Sequence, residues 1–144
     1  MTKISLAAHP FLLGFDQLER LAERAAKGAE GYPPYNIEKT AEDAYRISIA
    51  VAQVNGCDYC LSAHTYLGKH VAKLADAELE AARDGHSSDP RTQALLQFTQ
   101  AVVSAHGQVS DEALRAFLDA GYGPDAVVEV VANVAVNVFT NYLN

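Results

Sequence analysis

An all-α fold is what this sequence predicts, on three observations. Amphipathic runs with a helical repeat follow one another along the chain. Between them stand helix starts and stops: Asp89-Pro90 and Ser110 are favourable first positions, and Gly85, Gly107 and Gly121 are favourable ends. The final run, from Gly123 to Asn144, contains no turn signal and is longer than an ordinary strand.

The first run, PFLLGFDQLERLAERAAKGAEG, sets Phe15, Leu18, Leu21, Ala22 and Ala25 on one side and Asp16, Glu19, Arg20, Glu23 and Arg24 on the other. It predicts a helix ending near Gly28 or Gly31. GYPPYN, with two prolines and a glycine, reads as a connector. Residues 32–55 then admit two periods. Tyr45, Ile47, Ile49 and Val51 alternate with Arg46, Ser48, Ala50 and Ala52 as in a strand, while Ala44, Ile47, Ala50, Val51 and Val54 make a helical face. A lone strand among helices would leave its backbone groups unpaired, so helix is favoured over strand, with residues 41–55 helical.

Beyond this segment, CLSAHTYLGKHVAKL keeps a helical pattern and ADAELEAARDG is a short helix stopped at Gly85. RTQALLQFTQAVVSAHG opens after Asp89-Pro90 and closes at Gly107. Ser110 caps DEALRAFLDAG, with Asp111 and Glu112 in the first turn, where the helix dipole favours acids. GPDAVVEVVANVAVNVFTNYLN is rich in valine, but strand propensity depends on context, and Val127, Val130, Val131, Val134, Val138 and Tyr142 trace one helical face. Helix is the reading. Asn133, Asn137 and Asn141 then stack at intervals of four. The plainer account is a polar stripe facing solvent or a neighbouring subunit; the sharper one turns an amide into the functional site.

Composition narrows the function classes. At 144 residues with 49% apolar and 20% charged side chains, the chain has the balance of a single globular domain. A net charge of −7 and no basic stretch argue against nucleic acid as a partner. MTKISLAAHPFLLGF makes a poor signal peptide, and no long unbroken apolar run suggests a membrane span, so a cytoplasmic location is expected. In that compartment, two cysteines two residues apart point to catalysis or metal binding rather than a structural staple.

Those cysteines carry the chemistry. Cys57 and Cys60, spaced i and i+3, lie within disulfide reach on a helix, and His64 is one turn beyond Cys60 on the same face. Asn55 and Gly56 suit a helix entry, which would put the thiols near the positive end of the dipole and favour thiolate. With a histidine in reach to take its proton, Cys60 is the candidate nucleophile and Cys57 the resolving thiol. The reaction class is peroxide reduction through a sulfenic acid that condenses to a disulfide, and a dithiol partner must then reset the pair. Structural zinc needs four ligands where the chain offers two Cys and one nearby His, so no metal or other cofactor is expected. Two ordinary buried cysteines are the plain alternative. His9, His86 and His106 fall by turns or helix ends and read as surface or capping residues.

Residues 50–144, with NGCDYCLSAHTYLGK as the core, closely resemble the alkyl hydroperoxidase D (AhpD)-like branch of the carboxymuconolactone decarboxylase superfamily. The resemblance implies a helical bundle with CxxC at the N-terminus of a central helix and assembly as a homo-oligomer, trimer or hexamer. It also implies a hydroperoxide substrate and a lipoyl or thioredoxin-like dithiol reductant. It makes Cys60 the peroxidatic cysteine, Cys57 its partner and His64 part of the proton relay. Where such proteins usually carry a relay glutamate, twelve residues before the first cysteine, this chain has Tyr45. A phenol passes a hydrogen bond but is no resting base at neutral pH. Glu42, one turn earlier, is the carboxylate that could act through the phenol; its plainer role is a solvated first-turn acid.

Residues 1–52 resemble something else. SLAAHPFLLGFDQLERLAER and YPPYNIE followed by YRISIAVA are similar to the N-terminal region of bacterial small heat-shock proteins, where they form an assembly arm and the first strand of a β-sandwich. The chain reads as a chimera with its seam in ISIAVAQ, a segment both parents can supply. The competing function is a non-catalytic oligomer or chaperone-like protein whose cysteines are idle.

Overall fold

A computed structural model describes residues 37–144, with side chains from Glu42 onward. The helix expected at residues 11–31, the GYPPYN connector and His9 lie outside the described residues. Six helices make up the described part, which contains no strand: α1 Ile37–Asn55, α2 Asp58–His70, α3 Asp76–Arg83, α4 Pro90–Ser104, α5 Asp111–Asp119 and α6 Pro124–Leu143. The all-α expectation holds, and residues 41–55 are helical, beginning a turn earlier than expected at Ile37.

Helix α1 is the centre of the arrangement. Every residue from Arg46 to Ala52 is buried, which requires neighbours on all sides. Ile49, Ala50 and Ala52 join one apolar cluster with Cys57, Cys60, Leu61, Leu74, Leu79, Ala82 and Leu96. Ile47 and Val51 face a second with Leu95, Phe98, Val102, Phe117, Val130 and Val134. The one charge in the buried stretch, Arg46, is 7% exposed. Its guanidinium lies 3.4 Å from Glu42, 3.2 Å from Asp43 and 3.1 Å from Glu78 on α3, so the charge is paired rather than stranded.

The helix ends follow the sequence signals closely. Asp89 accepts from the Thr92 backbone N–H at 2.8 Å with Pro90 in the first turn, and Ser110 accepts from Ala113 at 3.2 Å. Gly85, Gly107 and Gly121 all take positive φ past their helix ends, a conformation that costs a residue with a Cβ. Two details differ from expectation. Helix α2 stops at His70 instead of running to Leu74: Lys73 turns to φ 60°, and the Leu74 N–H reaches back to Gly68 O at 3.0 Å, which drops Leu74 into the core. The inward face of α6 also keeps Val127, Val130, Val134 and Val138 of the predicted face, in or against the second cluster, but departs from it at two positions. Val130, Val134, Asn137 and Asn141 are buried, whereas Val131 is 44% and Tyr142 75% exposed. The buried set follows the three-and-four alternation of a packed seam, and Val131 and Tyr142 lie off it.

By length and composition alone α6 could cross a bilayer, a test that the core helix of a soluble protein also passes. Its outer side carries Val128, Val131, Val136, Phe139, Tyr142 and Leu143, all exposed in the single chain. With Val54, Asn55 and the end of α4 it borders an open groove of about 620 Å³.

A candidate redox site at the head of helix α2

The site begins where α1 stops. Gly56 takes φ +68°, its N–H donates to Gln53 O at 3.2 Å and the Cys57 N–H donates to Ala52 O at 3.1 Å. This is a Schellman closure, with the glycine in the left-handed position that a Cβ would strain. Cys57, the next residue, is also the N-cap of α2: it is extended (φ −88°, ψ 91°), and its Sγ accepts from the Cys60 backbone N–H at 3.3 Å. One residue thus closes one helix and opens the next.

Cys60 follows on the first turn of α2. The two Cα atoms are 5.3 Å apart and the sulfurs are joined as a disulfide, close to the separation the spacing predicts. Cys57, as the cap, stands just before the helix rather than within it. Both residues are buried in the first apolar cluster. The pair stands at the positive end of the α2 dipole, with the Cys60 N–H directed at Cys57 Sγ, a placement that favours thiolate when the disulfide is opened.

His64 stands one turn beyond Cys60 on α2. Its Nδ1 is buried without a hydrogen-bond partner, and burial holds its pKa below the ordinary 6.5. The imidazole is therefore neutral at pH 7, in the form that can accept a proton. Tyr45 packs against the same cluster from α1. It comes close to α2 at Gly68, where an added Cβ would lie 3.7 Å from the Tyr45 Cβ and only 2.7 Å from Leu79 Cδ2. The structure thus brings Cys57, Cys60, His64 and Tyr45 to one region, but no hydrogen bond among the described residues links Tyr45 to His64. Glu42 is placed differently: its carboxylate pairs with Arg46, on the side of α1 that faces Glu78 of α3.

Two amides complete the surroundings. Asn55 donates through Nδ2 to Asn141 Oδ1 at 2.9 Å, and Asn144 Nδ2 lies 3.8 Å from Cys60 Sγ. Of the asparagine stripe, Asn137 and Asn141 are buried, so the plainer reading of a solvent-facing row fails for these two. The amide that reaches the sulfur, Asn144, was not in the stripe. The signal that could have found it is the spacing 137, 141, 144, although Asn144, unlike the first two, is itself exposed.

Comparison with known proteins finds two kinds of likeness. Residues 43–101 match the model of the carboxymuconolactone decarboxylase family, a stretch that takes in α1 from Asp43, the cysteine pair, His64 and most of α4. Among curated proteins, the chain is similar to the small heat shock protein HspH of Bradyrhizobium diazoefficiens, 54% identical over 41 residues, covering 28% of this chain and 27% of that protein. It is 41% identical to HspE of the same organism over 51 residues, covering 35% and 34%. The small heat shock protein IbpA of Pectobacterium carotovorum is 40% identical over 73 residues, covering 50% of this chain and 52% of that protein. The chain spans between about a quarter and a half of the length of these relatives. Both resemblances read from the sequence are borne out as partial likenesses. The family match begins at Asp43, ahead of ISIAVAQ, and takes in most of α1.

Proposed function

We propose that this chain is a thiol-dependent peroxidase and disulfide oxidoreductase of the AhpD-like type. The observation that carries the reading is the disulfide-linked Cys57–Cys60 pair at a helix N-terminus, with the neutral imidazole of His64 one turn away. In the reduced state His64 takes the Cys60 proton, and the thiolate attacks a hydroperoxide. The O–O bond breaks, Cys60 becomes the sulfenic acid and the leaving alkoxide takes the proton as an alcohol. The Cys57 thiol then condenses with the sulfenic acid, forming the disulfide and releasing water. An external dithiol, of lipoyl or thioredoxin-like class, reduces the disulfide and is itself oxidised to a disulfide. A cytoplasmic homo-oligomer belongs to the same proposal.

The test uses the reduced protein. Addition of one equivalent of hydroperoxide is expected to remove two free thiols per chain, and thiols that persist would overturn the reading. The second reading, a chaperone-like protein with idle cysteines, is supported by the small heat-shock relatives. It predicts persistent thiols together with suppressed aggregation of an unfolding client.

Two expectations refine the proton path. Because burial lowers the His64 pKa, the acid limb of the thiol oxidation rate is expected to fall below pH 6.5. The sign follows from protonation: the rate holds as the pH drops to 6.5, then declines as imidazolium forms, and His64→Gln should lower the rate and erase that limb. Stopped-flow oxidation across pH 5 to 8 measures both. Because the Glu42 carboxylate is engaged by Arg46, Glu42→Gln is expected to leave peroxide consumption unchanged. A clear fall in turnover with unaltered folding would instead put Glu42 in the relay through Tyr45.

A further inference from the structure

We propose that the side-chain amide of Asn144 is a further catalytic residue of this site, donating to Cys60 Sγ and holding that sulfur as thiolate when the pair is reduced. The inference rests on the redox reading of the pair and adds to it a donor from the other end of the described fold.

The geometry of the amide is specific. Asn144 Nδ2 carries two N–H groups. One donates to the Thr140 backbone carbonyl at 2.9 Å, one turn back on α6; the other is directed to Cys60 Sγ at 3.8 Å, within range for a sulfur acceptor. A backbone carbonyl only accepts, so the Thr140 contact fixes which end of the amide faces the sulfur. The turn that carries Asn144 is itself pinned. Asn55, the last residue of α1 and two before Cys57, donates to Asn141 Oδ1 at 2.9 Å. Asn141 is 7% exposed, and its own Nδ2 is buried with no partner, a second donor in the same turn.

Hydrogen-bond donors of this kind matter unequally to the two redox states. A disulfide sulfur is a weak acceptor, whereas a thiolate accepts a charge-assisted bond. The amide therefore favours the ionised, reduced form over both the protonated thiol and the disulfide, which lowers the Cys60 pKa and makes the pair more oxidising. The other ionisable groups around Cys60 are few. On α2 they are Asp58 and Tyr59, both exposed in the first turn, and His64, while Tyr45 packs against the same cluster from α1. Helix α3 contributes Leu79 and Ala82 to the cluster, while its Asp76 pairs with Lys69 near the far end of α2.

The experiment reads ionisation directly, in a Cys57→Ser background that leaves Cys60 as the one thiol. Cys60 ionisation is followed by the pH dependence of iodoacetamide alkylation. Asn144→Leu is expected to raise the Cys60 pKa by about one unit. Asn144→Asp, of nearly the same shape but without the donor and with a negative charge, is expected to raise it further. With Cys57 present, Asn144→Leu should also shift the disulfide to a more negative potential against a glutathione buffer. Unchanged titration in both variants, with native circular dichroism, overturns the proposal; a role confined to packing would shift stability and leave the titration in place. The titration needs no peroxide, so its outcome is separate from that of the peroxidase reading. If hydroperoxide leaves the thiols intact but the pKa still moves, the amide contact stands and the peroxidase reading falls.

Discussion

Replacing Cys60 with serine is expected to abolish the loss of thiols on addition of hydroperoxide and to lower peroxide turnover on the order of a thousandfold or more. Cys57→Ser should behave differently. It retains the attacking sulfur, so it should consume one equivalent of peroxide, stop, and hold a sulfenic acid that a carbon-acid probe such as dimedone captures. The distinction rests on position. Cys57 Sγ serves as the cap of α2 and accepts the Cys60 N–H, whereas Cys60 has His64 one turn ahead and the Asn144 amide at its sulfur. Serine is a good N-cap in its own right, so Cys57→Ser should not loosen the helix start. Mass spectrometry of the two variants after one peroxide addition decides the assignment. Sulfenic acid at Cys57 in the Cys60→Ser protein, with none at Cys60 in its counterpart, would reverse the two roles.

Phe117→Ala is expected to destabilise the fold by about 3 to 5 kcal/mol, measured as a lower urea midpoint with little change in slope. Phe117 is 1% exposed and stands between two rings, stacked on Phe98 at 4.4 Å and on Tyr122 at 4.4 Å. The stack ties α5 to α4 and to the turn before α6, and Arg91 covers the outer ring, 4.5 Å from the Tyr122 centroid. Burial, then the nearby Asp43 carboxylate, pushes the Tyr122 hydroxyl up to about 12, so this ring stays neutral throughout the working range. Removal of the middle ring leaves a void with aromatic walls. Because the stack belongs to the second apolar cluster and the cysteines to the first, folded Phe117→Ala should still close its disulfide. A cost under about 1 kcal/mol would mean that α5 is peripheral to the fold.

The helix ends were the most legible part of the sequence, because each is set by one or two residues. Asp89, Ser110 and the glycines at 85, 107 and 121 act locally, and the structure uses all of them. The ambiguity over residues 44–54 also has a physical source. A helix buried on every side needs apolar or small residues at nearly every position, and such a run satisfies a period of two as well as one of 3.6. Neighbours decide between them, and neighbours are not local information. The valine pattern of α6 gives most of its inward face, with Val127, Val130, Val134 and Val138 in or against the second cluster, but it does not reveal that two asparagines with backbone and side-chain partners occupy buried positions beside them.

At the site, the cysteine pair and His64 could be read from spacing because they share one helix. The Arg46 network and the Asn144 contact could not. They join residues far apart in the chain, Arg46 to Glu78 and Cys60 to Asn144, and single-sequence periodicity carries no record of such pairs. Glu42 shows the same limit from the other direction. Its spacing from Tyr45 along the helix is legible, whereas the Arg46 guanidinium 3.4 Å from its carboxylate is not.

The turn at Gly56 determines what could be transplanted. Since the Cys57 N–H is bonded to Ala52 O while its sulfur caps α2, the redox pair cannot be lifted out with its own helix alone. A graft of NGCDYCLSAH onto another scaffold would have to bring the last turn of α1 with it, or supply a glycine-terminated helix at the same angle. The smallest portable module is accordingly a bent helix pair, and a recipient protein must offer a slot for two helices rather than a surface for one.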